Sequence, residues 1–135
     1  MDLQAIIDTA PLLAYIQGTY RRSFGREAWR LIERVEVGRA RIGVPTVCLF
    51  EVAQHHERNR IALGIPFEQW CDLVERAPGL AFCPLDRAAV SEARALPGLR
   101  DPFDRLIAGT AVALGLPLIT PDERIAASGR LRTVW

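Results

Sequence analysis

The sequence lacks lysine altogether, since all 17 of its basic residues are arginines. This absence excludes a P-loop, Schiff-base chemistry on a lysine, and the lysine that a receiver-type phosphoryl switch requires. The sequence also has no apolar run of about 20 residues and no basic region at its N-terminus, so we expect neither a transmembrane segment nor a secretory signal. Three widely spaced cysteines, Cys48, Cys71 and Cys83, are typical of a reducing compartment. We therefore expect a cytoplasmic protein with no membrane association.

Several catalytic motifs are missing as well. The sequence has three serines, no Gly-x-Ser-x-Gly elbow and no cysteine beside a histidine, so covalent catalysis has little support. It lacks the Gly-x-Gly-x-x-Gly fingerprint of dinucleotide binding. The segment His55-His56-Glu57 is not followed by the second histidine of a zinc motif, so we interpret both histidines as surface residues. The net charge of +1 neither favours nor opposes nucleic-acid binding.

What the sequence does contain is the patterning of a single α/β domain over residues 1–135. Short apolar runs predict strands, and apolar residues repeated every three or four positions predict helices. The predicted strands are residues 3–7, 41–44, 80–85, 116–120 and 131–135, and the predicted helices are residues 12–17, 28–35, 46–63, 67–74, 86–96, 103–114 and 121–127. Their alternation predicts a three-layer α/β/α sandwich with a mostly parallel sheet of four or five strands.

Three aspartates lie near the ends of these elements. Asp8 directly follows the first strand and Asp122 follows the fourth, which places both at the carboxyl edge where open α/β sheets bind ligands. Asp104 lies in the first turn of the helix at 103–114. Each aspartate also has a simpler interpretation, because a carboxylate near a helix N-terminus gains about 0.3 to 1 kcal/mol from the helix dipole. The residues that would cap these helices are Asp8 or Thr9, Asp101, and Thr120.

Glu51 differs because helix capping does not account for it. It lies about five residues inside the helix that Thr46 is expected to cap, within the apolar run Val-Cys-Leu-Phe-Glu-Val-Ala at 47–53. An ionised carboxylate in such a run needs a partner or a metal, or it becomes neutral through a raised pKa. A salt bridge to an arginine such as Arg58, or a solvated helix face, is the alternative explanation.

The four acids together point to a metal site. Carboxylates meeting at one sheet edge would repel one another by about 3 kcal/mol per pair at about 5 Å, with an effective dielectric of about 20, and a divalent cation removes that cost. Oxygen ligands suit Mg²⁺ or Mn²⁺ rather than zinc. Such a cation lowers the pKa of a water, directs it at phosphorus and stabilises the leaving oxygen. The predicted chemistry is therefore phosphodiester hydrolysis.

Four segments also carry a family resemblance that spans nearly the whole chain: residues 6–9, 45–53, 96–108 and 116–122. The third segment is the most specific, with Asp-Pro-Phe-Asp-Arg-Leu-Ile from residue 101. These segments resemble the PIN-domain ribonucleases, and within that family the VapC-like toxins of bacterial toxin–antitoxin pairs.

In the family that the chain resembles, one acid ends strand one, one lies on the helix after strand two, one opens the Asp-Arg-Leu-Ile helix, and one follows strand four. The resemblance places the catalytic and metal-binding roles on Asp8, Glu51, Asp104 and Asp122. It implies a Mg²⁺-dependent endoribonuclease, with Mn²⁺ as a substitute, that cuts structured RNA such as transfer or ribosomal RNA. It further implies a homodimer and inhibition by a cognate antitoxin.

One position departs from the family pattern. Many relatives carry a small polar residue two places after the first acid, where this chain has Ala10. A hydrogen bond near the metal is then supplied by other residues, and Thr9 and Thr120 are the candidates. We expect Asp101 to be a helix cap or an outer ligand, since spacing does not decide between Asp101 and Asp104.

Two further questions stay open at the level of sequence. RNA phosphates are expected to contact either of two arginine groups, Arg21, Arg22, Arg26 and Arg30 or Arg58 and Arg60, although solvated helix faces explain most of these arginines. The competing function is a binding module of the same fold whose acidic pocket serves a protein partner. A third hypothesis keeps the metal but replaces RNA with DNA or a small phosphoester.

Overall fold

A computed structural model describes residues 2–135, and within them five parallel strands form one sheet. The strands are β1 (Leu3–Ile7), β2 (Arg41–Pro45), β3 (Leu80–Cys83), β4 (Leu118–Ile119) and β5 (Thr133–Val134). Their order across the sheet is β3-β2-β1-β4-β5, and every neighbouring pair is parallel. The predicted parallel sheet is confirmed, and it has five strands.

Helices cover both faces of this sheet. They are α1 (Thr9–Gln17), α2 (Tyr20–Ser23), α3 (Arg26–Glu36), α4 (Thr46–Glu57), α5 (Phe67–Arg76), α6 (Arg87–Arg94), α7 (Pro102–Leu114) and α8 (Glu123–Ala126). The successive residues Ala5, Ile6 and Ile7 of the central strand are all fully buried. Because successive side chains point to opposite faces of a sheet, burial of all three requires apolar cover on both sides.

The strand order creates a switch point beside β1. The chain moves from β1 to β2 and β3 on one side, and then returns to place β4 on the other side of β1. Connections therefore leave β1 and β4 in opposite directions, which opens a crevice at the carboxyl ends of these two strands. The crevice is where Asp8, after β1, and Asp122, after β4, are located.

Several element boundaries differ from those predicted. α4 ends at Glu57 rather than at residue 63, because Arg58 caps the helix and Asn59 adopts the left-handed conformation with φ 55°. Thr46 does not cap α4, since Pro45 occupies that position, and the Thr46 hydroxyl instead accepts a hydrogen bond from Leu85 N–H at 3.2 Å.

Other elements are longer or shorter than predicted, and one short helix is additional. α1 begins at Thr9 rather than at residue 12, because Pro11 falls in the first turn, where its missing N–H has no intrahelical partner to lose. β3 stops at Cys83 because Pro84 follows it and has no N–H for the ladder. The short helix α2 was not predicted, and β4 has only two residues.

The cysteines behave as ordinary small side chains. Cys48, Cys71 and Cys83 are free, and Cys48 and Cys83 are buried. The Cys48 thiol donates a weak hydrogen bond to the carbonyl of Ile7 at 3.6 Å.

No helix within residues 2–135 has both the length and the apolar character needed to cross a bilayer.

Close packing against α6 fixes the position of α7. A Cβ atom added to Gly109 would lie 2.5 Å from the carbonyl oxygen of Ala89 and 2.8 Å from the amide nitrogen of Ala93. Since both are backbone atoms, the two helices would have to move apart to accept any side chain at this position. Gly109 therefore sets the depth at which α7 lies, and with it the position of Asp104.

We expect Gly109→Ala to destabilise the protein by about 1 to 3 kcal/mol, because overpacking of two backbones is not relieved by side-chain rotation. Gly98→Ala is the matched control, since a Cβ at Gly98 meets no atom within 4 Å. Urea unfolding of both variants tests this expectation. Equal stabilities would show that α6 and α7 separate at little cost.

Candidate functional site

The carboxyl edge of the sheet carries an open cavity of about 650 Å³ that contains the four acids, Asp8, Glu51, Asp104 and Asp122. Asp8 follows β1, Glu51 lies in α4, Asp104 lies in the first turn of α7, and Asp122 caps α8. The other residues lining the cavity are Thr9, Ala10, Leu13, His55, Arg60, Ile61, Asp101, Thr120, Pro121 and Arg124. The structure thus brings four acids that are scattered in the sequence into a single pocket.

Asp8 is fixed by hydrogen bonds to both of its carboxylate oxygens. Its Oδ1 atom accepts from the N–H of Thr9 at 2.8 Å, and its Oδ2 atom accepts from the hydroxyl of Thr120 at 2.8 Å. Asp8 is the N-cap of α1 and is only 9% exposed. The capping role and the place in the pocket therefore belong to the same residue.

Thr120 links two of the acids. Besides donating to Asp8, its hydroxyl oxygen accepts the N–H of Asp122 at 3.1 Å. The cap of α8 is Asp122, which accepts from Arg124 N–H at 2.9 Å, and not Thr120 as the sequence suggested. Thr120 is buried, so it holds the loop after β4 close to the end of β1.

The two aspartates at the start of α7 have different tasks. Asp101 is the N-cap, and its Oδ1 atom accepts from the N–H groups of Phe103 and Asp104 at 2.8 and 3.2 Å. The Asp104 carboxylate has no part in the cap and points into the pocket, where it is 19% exposed. Arg105 anchors this end of α7 by donating from Nε and Nη2 to the carbonyl of Ala93, at 3.2 and 3.0 Å.

Glu51 reaches the pocket from the second turn of α4. Its side chain is 14% exposed, and its Oε2 atom lies 3.8 Å from Nε2 of His55, one helical turn further on. An arginine such as Arg58, which the alternative explanation of Glu51 invoked, is not the partner that the structure shows, since the paired residue is His55. His55 lines the pocket and is therefore not simply a surface histidine.

Comparison with protein families shows to which family the chain belongs. A family described as PIN domain matches residues 5–131. The chain belongs to the PIN-domain family. The ribonuclease VapC22 of Mycobacterium tuberculosis is 37% identical over 98 residues, which cover 70% of this chain and 74% of that protein.

Solved structures confirm the fold of this PIN domain. It is similar to a chain in the crystal structure of VapBC2 from Rickettsia felis bound to a DNA fragment from their promoter, with a TM-score of 0.69, 13% identity and 97% of both chains covered. It is also similar to a chain in DNA-bound VapBC from Salmonella typhimurium, with a TM-score of 0.67, 19% identity, and 98% and 97% of the two chains covered. At these identities the likeness shows a shared architecture, including the parallel sheet and its flanking helices.

The acids in the pocket of this PIN domain affect one another's protonation. Burial raises the pKa of Asp104 to about 7, and the neighbouring carboxylates, Asp101 and Asp8 foremost, add to the increase. Burial also raises the pKa of Asp8, against the opposing hydrogen bonds from Thr120 and Thr9. The pKa of Glu51 is likewise raised by burial, although the nearby Thr9 hydroxyl opposes the increase. Ionising several of these carboxylates at once in the pocket therefore costs free energy.

Arg124 is the cation nearest to these carboxylates. Its Nε atom donates to Asp122 Oδ1 at 3.3 Å, and its Nη2 atom donates to Asp122 Oδ2 at 3.1 Å and lies 3.8 Å from Asp104 Oδ2. Burial alone would raise the pKa of Asp122, but the hydrogen bonds and charge of Arg124 outweigh it and lower the pKa. Arg124 itself is 78% exposed, so its guanidinium lies over the acids from the solvent side.

Asp104 gives the stability of the cation-free protein a pH dependence. Its pKa of about 7 in the folded state exceeds the ordinary value of 3.8, so the folded state binds more protons between these two values. Protonated Asp104 therefore makes its full contribution to the free energy of unfolding below about pH 4. This contribution is lost as the pH rises through about 7. In EDTA, we expect Asp104→Asn to be more stable than the wild type by about 1 to 2 kcal/mol at pH 8 and not at pH 4. Urea unfolding of both proteins measures this, and a difference that does not change with pH would contradict it.

Sequence reasoning missed two ionisable residues of the pocket, His55 and Arg124. His55 lies four positions after Glu51, a spacing that places both on one helix face, so the signal was present. Arg124 follows Asp122 by two positions, and nothing in the sequence indicates that its side chain turns back over the acids. Of the arginines proposed for RNA contact, Arg60 lines the pocket, whereas Arg30 lines a different cavity and Arg21 stacks on Tyr20.

Proposed function

We propose that this PIN domain is an endoribonuclease toxin that hydrolyses phosphodiester bonds of RNA with a divalent cation held by its four acids. One observation carries the proposal: four carboxylates converge at the carboxyl edge of a chain that is 37% identical to a ribonuclease. Among the residues that line the pocket in the described part of the chain, none is a serine or a cysteine. The pocket thus offers no serine or cysteine nucleophile, and the proposal assigns its carboxylates to the cation, so the attacking group in this proposal is water.

The donor atoms around the pocket fit a hard cation, Mg²⁺ with Mn²⁺ as a substitute. Asp8, Glu51, Asp104 and Asp122 would hold it. Within residues 2–135, no three carboxylate, histidine or cysteine side chains already form a closed metal-binding group. Mg²⁺ suits such an open site because it keeps several of its waters and does not require a closed cage of protein ligands. When bound, the cation supplies positive charge against the phosphate and a lower pKa for the attacking water.

A buried hydroxyl beside the acids supports the same assignment. The side-chain oxygen of Thr9 is buried and has no hydrogen-bond partner of normal geometry. It nevertheless lies close enough to Glu51 to favour the ionised carboxylate. A buried polar atom without a partner is costly, so a hydrogen bond to a ligand or to ordered water in the pocket accounts for it.

Thr120 positions the two acids that it contacts. Thr120→Val removes the hydroxyl that donates to Asp8 and accepts from Asp122 N–H, and we expect kcat/KM for RNA to fall by about 10- to 100-fold. Thr120→Ser keeps the hydroxyl and is the conservative control, with an activity close to that of the wild type. If the valine variant cleaves as fast as the serine variant, the hydroxyl has no positioning role.

The partner of this toxin is a cognate antitoxin, and the toxin itself forms a homodimer. Both structural neighbours come from VapBC complexes, which supports a protein partner of the same kind here. Phe50 is 59% exposed, and its ring lies 6.1 Å from that of Phe103. Each of these aromatic residues directly precedes one of the acids, Glu51 or Asp104. An exposed phenylalanine that packs on a half-buried one beside a charged pocket suits an inhibiting protein surface.

The product of a short reading frame immediately upstream is the expected antitoxin. We expect it to copurify with the chain and to suppress cleavage when present in equal amount. Suppression that survives Phe50→Ser would show that the antitoxin uses another surface. Absence of any such reading frame would count against the toxin assignment but not against the nuclease.

The alternative is a binding module with an inactive acidic pocket, favoured by the guanidinium of Arg124 that already neutralises Asp122 and lies near Asp104. A substrate panel in Mg²⁺, containing structured RNA, single-stranded DNA and bis-p-nitrophenyl phosphate, separates the hypotheses. We expect internal cuts in RNA and little reaction with the others. Faster cleavage of DNA would overturn the substrate class, and no cleavage together with no affinity for Mn²⁺ would favour the binding module.

A further inference from the structure

The acidic pocket by itself repels the strand that it is proposed to cut. Its lining contains five carboxylates, Asp8, Glu51, Asp101, Asp104 and Asp122, against the two guanidinium groups of Arg60 and Arg124. A cation offsets part of this charge only at the scissile phosphate, whereas the neighbouring phosphates of an RNA strand carry charge of their own. Those phosphates need positive groups placed just outside the acids.

A second cavity adjoins the pocket at the right place. It has a volume of about 290 Å³ and is lined by Gly98, Leu99, Arg100, Asp104 and Arg124. Two of these residues, Asp104 and Arg124, also line the acidic pocket, so the two cavities share a wall. In the second cavity the balance of charge is reversed, with two guanidinium groups against a single carboxylate, that of Asp104.

The two arginines of this cavity have donors to spare. Arg124 is oriented by Asp122, which accepts from its Nε and from one of its terminal nitrogens. A guanidinium carries five N–H donors, so those not directed at Asp122 remain for a ligand in a fixed orientation. Arg100 is exposed, and within residues 2–135 its side chain forms no hydrogen bond or ion pair. Nothing in the fold therefore competes for Arg100.

From these placements we infer that Arg100 and Arg124 form a phosphate subsite, which holds the phosphate next to the scissile one in the RNA strand. The inference rests on the proposed function for its substrate class. Arg124 stands between the two cavities and contacts both, so it orients the strand as the strand leaves the acids. Arg100 supplies the second guanidinium of the subsite.

Other arginine groups are less suited to this task. Arg30, Arg34 and Arg132 line a separate cavity of about 330 Å³ together with Gln4 of β1 and Pro117 before β4. Gln4 and Pro117 lie at the starts of their strands, so this cavity is at the amino edge of the sheet, away from the acids. Arg132 is also paired with Glu27 at 2.8 Å. Arg60 lines the acidic pocket itself, among its five carboxylates, and does not line the second cavity, where the balance of charge is positive.

The subsite is tested by RNA binding rather than by cleavage. The probe is a fluorescein-labelled single-stranded RNA of mixed sequence, and the parent protein carries Asp8→Asn so that the strand stays intact. Anisotropy titrations over a range of salt concentrations give the affinity and its salt dependence for the parent and for Arg100→Ala and Arg100→Gln on the same background. Arg76→Ala is the matched control, since Arg76 lies at the end of α5 and outside both cavities.

We expect each Arg100 variant to weaken binding by about 3- to 10-fold and to reduce the slope of log K against log salt by about 0.7, the value for one lost contact to a single strand. Arg76→Ala is expected to change neither quantity. Equal affinities and slopes for the parent and the Arg100 variants would overturn the subsite. An equal loss with Arg76→Ala would also overturn it, because only general charge would then be involved.

Failure of the subsite and failure of the proposed function give different results. If the wild type fails to cut any RNA while Arg100 still determines the binding slope, the nuclease assignment fails and the subsite stands. If the wild type cuts RNA and the Arg100 variants bind RNA with the affinity and salt dependence of their parent, the subsite fails and the nuclease stands.

Discussion

Asp104→Asn is expected to abolish RNA cleavage, with a loss of about 1000-fold or more in kcat/KM. A factor of this size corresponds to about 4 kcal/mol of transition-state stabilisation, which is within the range that one ligand of a catalytic cation provides. Asparagine has nearly the shape of aspartate but carries no charge. Because the carboxylate of Asp104 takes no part in the cap of α7, the substitution leaves the helix start intact.

The stability of this variant separates chemistry from folding. Burial, together with the neighbouring carboxylates, raises the pKa of Asp104, so removing its charge relieves desolvation and repulsion and does not weaken the folded state. Asp72→Asn makes the same chemical change at an exposed position of α5 and should leave cleavage unchanged. An Asp104→Asn protein that unfolds, or that retains more than about a tenth of the wild-type activity, would contradict this role for Asp104.

Removal of the cation is the second large effect that we expect. With excess EDTA, cleavage should fall to the background rate, because the pocket then offers phosphate only repulsion from its five carboxylates and the partial compensation of Arg60 and Arg124. Added Mg²⁺ or Mn²⁺ should restore cleavage in full, since EDTA does not alter the protein. Equal cleavage of RNA with and without EDTA would exclude the cation from the reaction.

The cation should also stabilise the folded state. A ligand that binds the folded protein but not the unfolded chain raises the free energy of unfolding, by about 2.7 kcal/mol at 100 times its dissociation constant. We therefore expect Mn²⁺ to raise the melting temperature of the wild type at pH 8. Asp104→Asn should show a smaller increase, since it lacks one of the ligands and gains nothing from relief of its repulsion.

The positions of Asp8 and Asp122 are the part of the site that sequence predicts best. Each follows a strand, and parallel strands end at a common edge, so their meeting follows from the order of elements alone. The two interpretations of these residues, helix cap and site residue, turn out to be compatible. Asp8 caps α1 with one oxygen while Thr120 binds the other, and Asp122 caps α8 while it lines the pocket.

Glu51 was identified for a different reason, namely that a carboxylate interrupts an apolar run. That reasoning gives its burial but not its partner, and His55 rather than an arginine lies beside it. The distance from Glu51 to His55 depends on the side-chain rotamers of both residues, which sequence spacing does not fix.

The conformations of the loops around the pocket could not be predicted from the sequence. α4 stops at Glu57 because Asn59 adopts positive φ, and this turn places Arg60 at the pocket rather than on a continuing helix. The position of Arg124 over the acids depends on α8, a helix of four residues whose direction is set by the Thr120 and Asp122 hydrogen bonds. Neither feature leaves a periodic pattern in the sequence.

A calorimetric titration with Mn²⁺ tests the central claim most directly, namely that four acids from four parts of the chain form one cation site. It is carried out on the wild type, on the single variants Asp8→Asn, Glu51→Gln, Asp104→Asn and Asp122→Asn, and on Asp72→Asn as the control. We predict saturable binding to the wild type and the control, and weaker binding to every one of the four variants. Wild-type affinity in any two of the four variants, or no binding to the wild type, would contradict the account.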